Sequence, residues 1–130
     1  MKYKCIAFLH NAGNKKYNTI CETMFRMFHT AGAGYANGYV AIPPEHPLFG
    51  KHYDYPEVSV HGGLTFSEPS RDIFEYFDTE SIELLDGEIP EGWWVFGFDT
   101  FHYGDNLDTC SREWCIEETN RLKTILKNWK

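Results

Sequence analysis

No apolar run in this chain approaches the ~18 to 20 residues that a bilayer span requires. The opening residues, Met1 to His10, hold too short an apolar stretch for a signal peptide. A basic patch is also missing, which makes duplex nucleic acid and anionic membrane surfaces poor partners. Four cysteines (Cys5, Cys21, Cys110, Cys115) form neither a CxxC pair nor a regular framework. Reduced thiols in a cytoplasmic protein are therefore expected. No GxxxxGK(S/T) loop occurs, and Gly32-x-Gly34 lacks the spacing and strand–helix context of a dinucleotide fingerprint. There is no internal repeat, linker or low-complexity tract.

What the chain has in abundance is rings and, in one stretch, acid. Its 130 residues make one domain, long enough to bury a core without staples. Aromatic residues are 17% of it, so rings line the core and any pocket, where they can stack on a planar ligand. Residues 71–91 hold eight acids against the single base Arg71, which is −7, and the whole chain is also −7. The rest is balanced. That segment reads as a solvated acidic face, with electrostatic docking as the alternative.

The hydrophobic periodicity gives an α+β outline: a mainly antiparallel sheet of about four to five strands, with an N-terminal helix and a C-terminal amphipathic helix packed on it. Lys2 to Leu9 opens as a strand, and Asn14 to Phe28 carries Ile20, Met24, Met27 and Phe28 at helical spacing. Gly38 to Ile42 reads as a short strand closed by Pro43-Pro44. A long polar and aromatic loop follows over 45–56. Val58 to Phe66 is expected as a strand with a Gly62-Gly63 bulge. One or two helical turns fit 70–86, and Gly92 to Asp99 reads as the aromatic central strand. The last helix is capped by Ser111, with Trp114, Leu122, Ile125, Leu126 and Trp129 on one face.

The chemistry-bearing stretch is Trp93 to Asp105, an aromatic strand that ends in a burst of Asp, His and Gly. Asp99, His102 and Asp105 are three apart, so a helical turn or tight loop can converge them, and His61, followed by two glycines, joins from a neighbouring strand. The expectation is that His61 and His102 lie on adjacent strand ends and point into one pocket. Two imidazoles and two carboxylates suit either a mixed N/O site for a divalent metal or a general acid/base pair. The same residues also suit a turn tied down by hydrogen bonds.

Ligand contacts are expected from several further residues. Gly62 and Gly63 let backbone N–H groups approach a phosphate, and Thr65 adds a hydroxyl. Trp94 and Tyr103 offer rings. The loop with Glu45, His46, His52, Asp54 and Tyr55 reads mainly as architecture, with His52 and Tyr55 as the residues a lid would supply. Cys110 and Cys115 read as packing residues.

Three blocks together carry a resemblance: Ala41-Ile42-Pro43 through His46-Pro47-Leu48 to Tyr53-Asp54; Val60-His61-Gly62-Gly63-Leu64-Thr65-Phe66-Ser67; and Trp94-x-x-Gly97-Phe98-Asp99-x-x-His102-x-Gly104-Asp105. The set resembles a group of small uncharacterised phage and prophage proteins. The resemblance covers roughly residues 38 to 106. It implies an accessory protein in the cytoplasm of a phage's bacterial host, with interference in host defence through a nucleotide messenger as one role.

Three functions follow as expectations. The first is a hydrolase of phosphodiester type using His61, Asp99, His102 and Asp105, on a metal or as acid and base. The second is a pocket that binds a phosphorylated, nucleotide-like small molecule without turnover. The third is a protein-interaction module that docks a host protein with no small-molecule ligand. Oligomeric state is left open, a homo-oligomer included.

Overall fold

The computed structural model describes residues 2–11, 34–102 and 104–130. Five strands are present in that range: β1 Ile6–His10, β2 Asn37–Ile42, β3 Phe66–Pro69, β4 Ile82–Leu84 and β5 Trp94–Phe98. The described residues also hold two helices, α1 Ser70–Tyr76 and α2 Arg112–Lys127, and one 3-10 turn at Thr79–Ser81. The helix expected over Asn14 to Phe28 lies outside the described residues.

The strands form one sheet in the order β3-β5-β2-β1-β4, every neighbouring pair antiparallel. This is the small single α+β domain that the periodicity foretells. The central strand, however, is β2. The aromatic β5 lies between β2 and β3, and Val40 of β2 pairs with Phe96 of β5.

Both faces of the sheet are covered, so alternate residues sort into two cores. Ala7, Val40, Ile42, Phe96 and Phe98 point to one side, against Leu122 and Leu126 of α2. Ile6, Phe8, Tyr39, Ala41 and Val95 point to the other, against Ile73 of α1. Burying each of the two leucines of α2 contributes about 1.5–3 kcal/mol.

The last helix starts where its cap predicts, with Ser111 Oγ accepting from the Trp114 N–H at 3.2 Å. Its buried line is Cys115, Thr119, Leu122 and Leu126, with Trp114 and Trp129 packed at the margins. It can lie close to β2 because Gly38 has no side chain, for a Cβ there would stand 2.1 Å from Thr119 Oγ1.

The acidic segment is more than a solvated face. Glu83 pairs with Arg112 of α2, and Asp86 binds Lys123 at 3.0 Å while accepting from the Ala7 N–H at 2.8 Å. Two of its eight acids thus tie β4 and the following turn to the last helix.

The strand expected over Val58 to Phe66 forms only at its final residue. Gly63 N–H bonds Val60 O at 2.8 Å, closing a turn, and both Gly62 and Gly63 have positive φ, +69° and +80°. Positive φ at Gly62, third in that turn, is what a type II turn requires and what a continuous ladder excludes. The Gly-Gly pair is therefore a turn before β3, not a bulge within it.

Candidate functional site

Three pieces of chain build the site. The first is the turn over residues 60–63. The second is the loop that leaves β5, and the third is the first half of α2.

The loop after β5 is held from several sides. Thr100 gives its Oγ1–H to Ala36 O at 2.9 Å and its N–H to Asn37 Oδ1 at 3.0 Å. Asp105 N–H closes back on His102 O at 2.8 Å, and Asn106 Oδ1 accepts from the N–H groups of Asp108 and Thr109. Asp105 is consequently buried at 5% exposure, an uncommon place for a carboxylate without partners.

Its partners are two histidines. His61 Nε2 lies 2.9 and 3.0 Å from the two Asp105 oxygens. His102 contributes both its N–H, at 3.0 Å, and its Nδ1, at 2.8 Å, to Asp105 Oδ2. The other ring nitrogen of His102 faces Asp99 Oδ1 at 3.2 Å. The two imidazoles stand edge to face, 5.1 Å between centroids, and Trp114 meets His61 the same way at 4.8 Å. Burial by itself raises the Asp105 carboxyl, but the hydrogen bonds from His61 and His102 outweigh it and hold it below the usual carboxylate range.

The four expected residues are thus brought together as a chain of contacts, Asp99 to His102 to Asp105 to His61. Neither histidine lies on a strand end. His61 is in the turn ahead of β3, and His102 is four residues beyond β5. They meet because two loops converge over α2.

Gly62 belongs to the centre for a steric reason. A Cβ at this position would stand 2.5 Å from the His102 ring, whereas one at Gly63 would meet nothing within 4 Å. Thr65 is exposed and gives its N–H to Gly97 O at 2.9 Å. Tyr103 lies outside the described residues.

Trp94, His52 and Tyr55 belong to another region. Trp94 starts β5, at the opposite end from the loop that carries His102, and donates its Nε1–H to Lys51 O at 2.9 Å. It lines a cleft of about 280 Å³ with Phe49, Pro69, Arg71 and Trp93. His52 packs on Tyr53, and Tyr55 is exposed under Lys51. Among the described residues their bonds and ring contacts run to Phe49, Lys51, Tyr53 and Asp54 rather than to His61 or His102. In the same loop His46 is architecture, its buried ring bridging Leu126 O at 2.8 Å and the Leu48 N–H at 3.0 Å.

Three neighbours escaped the sequence reading. Glu118 accepts the His61 N–H at 2.8 Å, and the Arg121 guanidinium holds its carboxyl below the ordinary range with help from that bond. Trp114 supports the His61 ring. Cys110, buried at 1% exposure, presents its sulfur to the centre: Sγ, the His61 ring nitrogen and an Asp105 oxygen all lie within 4.8 Å of one another. Helical spacing does put Trp114 and Glu118 on one face of α2, four residues apart, but nothing local says which loop that face meets.

The chain matches no family model, and no curated protein or solved structure matches it either.

Proposed function

We propose that the protein binds a phosphorylated, nucleotide-like small molecule at the His61–Asp105–His102 centre and hydrolyses a phosphodiester bond in it. The observation that carries this reading is a single buried carboxylate, Asp105, holding two imidazoles that are each partly exposed, 28% and 36% of the side chain.

A phosphate ester asks for hydrogen-bond donors at its oxygens and for a group that moves a proton near neutral pH. The His61 ring, held on Asp105 through Nε2, offers its Nδ1 for that task, while His102, with its two ring nitrogens on Asp105 and Asp99, positions the shared carboxylate. In the reaction water adds to phosphorus, the ester P–O bond breaks, and the proton lost by water ends on the leaving oxygen. Phe101, more than half exposed beside His102, and Trp114, beside His61, are the rings at hand for a base. In the phage setting that the resemblance implies, such a ligand is a nucleotide signal of host defence, met in the bacterial cytoplasm.

A second reading has its own observation. A cleft of about 380 Å³ is lined by Phe74, Ile82, Leu84 and Ile89 together with Thr79 and Glu88, and Phe74 and Leu84 are nearly half exposed. An apolar cleft on the acidic segment suits a docked host protein.

A thermal-shift panel of mono-, di- and cyclic nucleotides, followed by product analysis on each hit, tests both. Stabilisation with product formation, abolished in His61→Ala and His102→Ala, is the expected result. Stabilisation with intact ligand leaves a binding module. No response to any nucleotide, with a specific host protein captured through the Phe74–Leu84 cleft, overturns the ligand reading.

A further inference from the structure

We infer that His61, Asp105 and Cys110 form a zinc site. The site itself stands on geometry; its catalytic consequence rests on the hydrolytic reading above, with His61 then a ligand rather than the group that moves the proton.

An imidazole nitrogen, a carboxylate oxygen and a sulfur converge here within 4.8 Å of one another, the nitrogen and oxygen already at 2.9 Å. In a tetrahedral zinc centre, bonds of ~2.0–2.1 Å to N or O and ~2.3 Å to S put neighbouring ligand atoms ~3.4–3.6 Å apart. Small side-chain rotations therefore suffice to admit the ion. The donor set also selects the metal. Magnesium and calcium take oxygen, whereas thiolate with imidazole and carboxylate suits zinc.

The backbone around the three ligands is fixed. Cys110 N–H bonds Asn106 O at 2.8 Å, and Cys110 O accepts from the Tyr35 N–H at 2.9 Å. Outer partners are also in place, His102 on Asp105 and Asp99 on His102, while Glu118 holds the main-chain N–H of His61. Such partners orient metal ligands and raise their basicity. Asp99 and His102 then act as positioning residues. Cys115 supplies an internal contrast, since its buried sulfur donates to Ala36 O at 3.4 Å and takes no part in the cluster.

Among the described residues three protein ligands are at hand, which leaves a fourth position for water or a phosphate oxygen on the partly exposed side of His61. Ligation breaks the Cys110 S–H bond, forms a Zn–S bond and releases the proton to solvent, so the ion raises the local charge by one. That matters beside Asp99, Asp105 and Glu118, where among the described residues Arg121 pairs with Glu118, since an incoming phosphate is repelled by carboxylates.

The test uses the metal alone. Chelator-treated protein is titrated with zinc, and separately with cobalt(II), whose thiolate charge-transfer band reports sulfur ligation. One equivalent of zinc and a cobalt–thiolate band are expected. Cys110→Ser should lose the band and bind zinc at least about tenfold more weakly, while Cys115→Ser keeps both. If Cys110→Ser does not fold, His61→Ala, at a partly exposed side chain, must show the same loss of affinity. Absence of zinc uptake, or a cobalt spectrum unchanged in Cys110→Ser, overturns the site. Zinc uptake without cleavage of any phosphodiester overturns only the hydrolytic reading. Cleavage by chelated protein that takes up no zinc overturns only the zinc site.

Discussion

His61 and Asp105 lie forty-four positions apart in the chain and meet through a forked contact, Nε2 to both carboxylate oxygens at 2.9 and 3.0 Å. Asp105 is the hub of the site. Its carboxylate hydrogen-bonds both histidines, and it is nearly inaccessible to water. Changing it should disturb every other member.

Asp105→Asn keeps the shape but replaces an acceptor-only carboxylate with an amide. One oxygen then has to serve His61 and two groups of His102, and an NH₂ faces donors. A stability loss of about 1–3 kcal/mol in denaturant titration is expected. The His61 and His102 ring signals should shift together by NMR. A change confined to one ring would mean that the shared carboxylate does not couple them.

Gly62 and Gly63 separate two costs of a side chain in one turn. Both have positive φ, so alanine at either position costs about 1–2 kcal/mol in backbone strain. Only at Gly62 does the new Cβ collide with the His102 ring. Gly62→Ala should therefore be the more destabilising and should move the His102 resonances, while Gly63→Ala leaves them in place.

Acid should act in two stages. Burial lowers His46 below its ordinary 6.5, partly offset by its bond to Leu126 O, and burial lowers His10 likewise. A histidine with a depressed folded value is more readily protonated when unfolded. Its contribution is therefore full above pH 6.5 and is lost as pH falls below it. Asp105, held below its ordinary 3.8, contributes above that value and loses the contribution as pH falls further, through its folded value. Denaturant midpoints measured from pH 8 to pH 3 should decline first below about 6.5. His46→Gln should flatten that first decline and leave the second.

The last helix has a local signal that can be removed cleanly. Ser111→Ala deletes the oxygen that accepts the Trp114 N–H and should cost about 1 kcal/mol. Because Trp114 also supports His61, its fluorescence should respond as the first turn frays. An unchanged denaturation midpoint would show that packing of Leu122 and Leu126 alone holds the helix start.

Cys110 and Cys115 give a chemical readout of burial. Desolvation pushes their thiols up to about 11 and about 12 respectively. Both should resist alkylation at neutral pH in the folded protein and react at once on unfolding. Fast modification of Cys110 in native protein would contradict its burial.

The sequence by itself determined what depends on neighbours along the chain. Alternation in Gly38 to Ile42 and Trp94 to Phe98 marks strands, and Ser111 with the 3–4 spacing to Leu126 marks the final helix. The three-residue spacing of Asp99, His102 and Asp105 shows that a loop can gather them. Tertiary structure decided the rest. Which strand is central depends on long-range pairing, and Val58 to Leu64 fails to pair because two positive-φ glycines turn the chain before β3. Trp94 and His61 read alike as site residues, yet a strand is rigid and extended, so its first residue and the loop beyond its last are held at opposite ends. Cys110 and Glu118 carry no local mark of function. Their roles come from convergence of two loops over one helix face, and side-chain periodicity carries no information about which distant segment will meet that face.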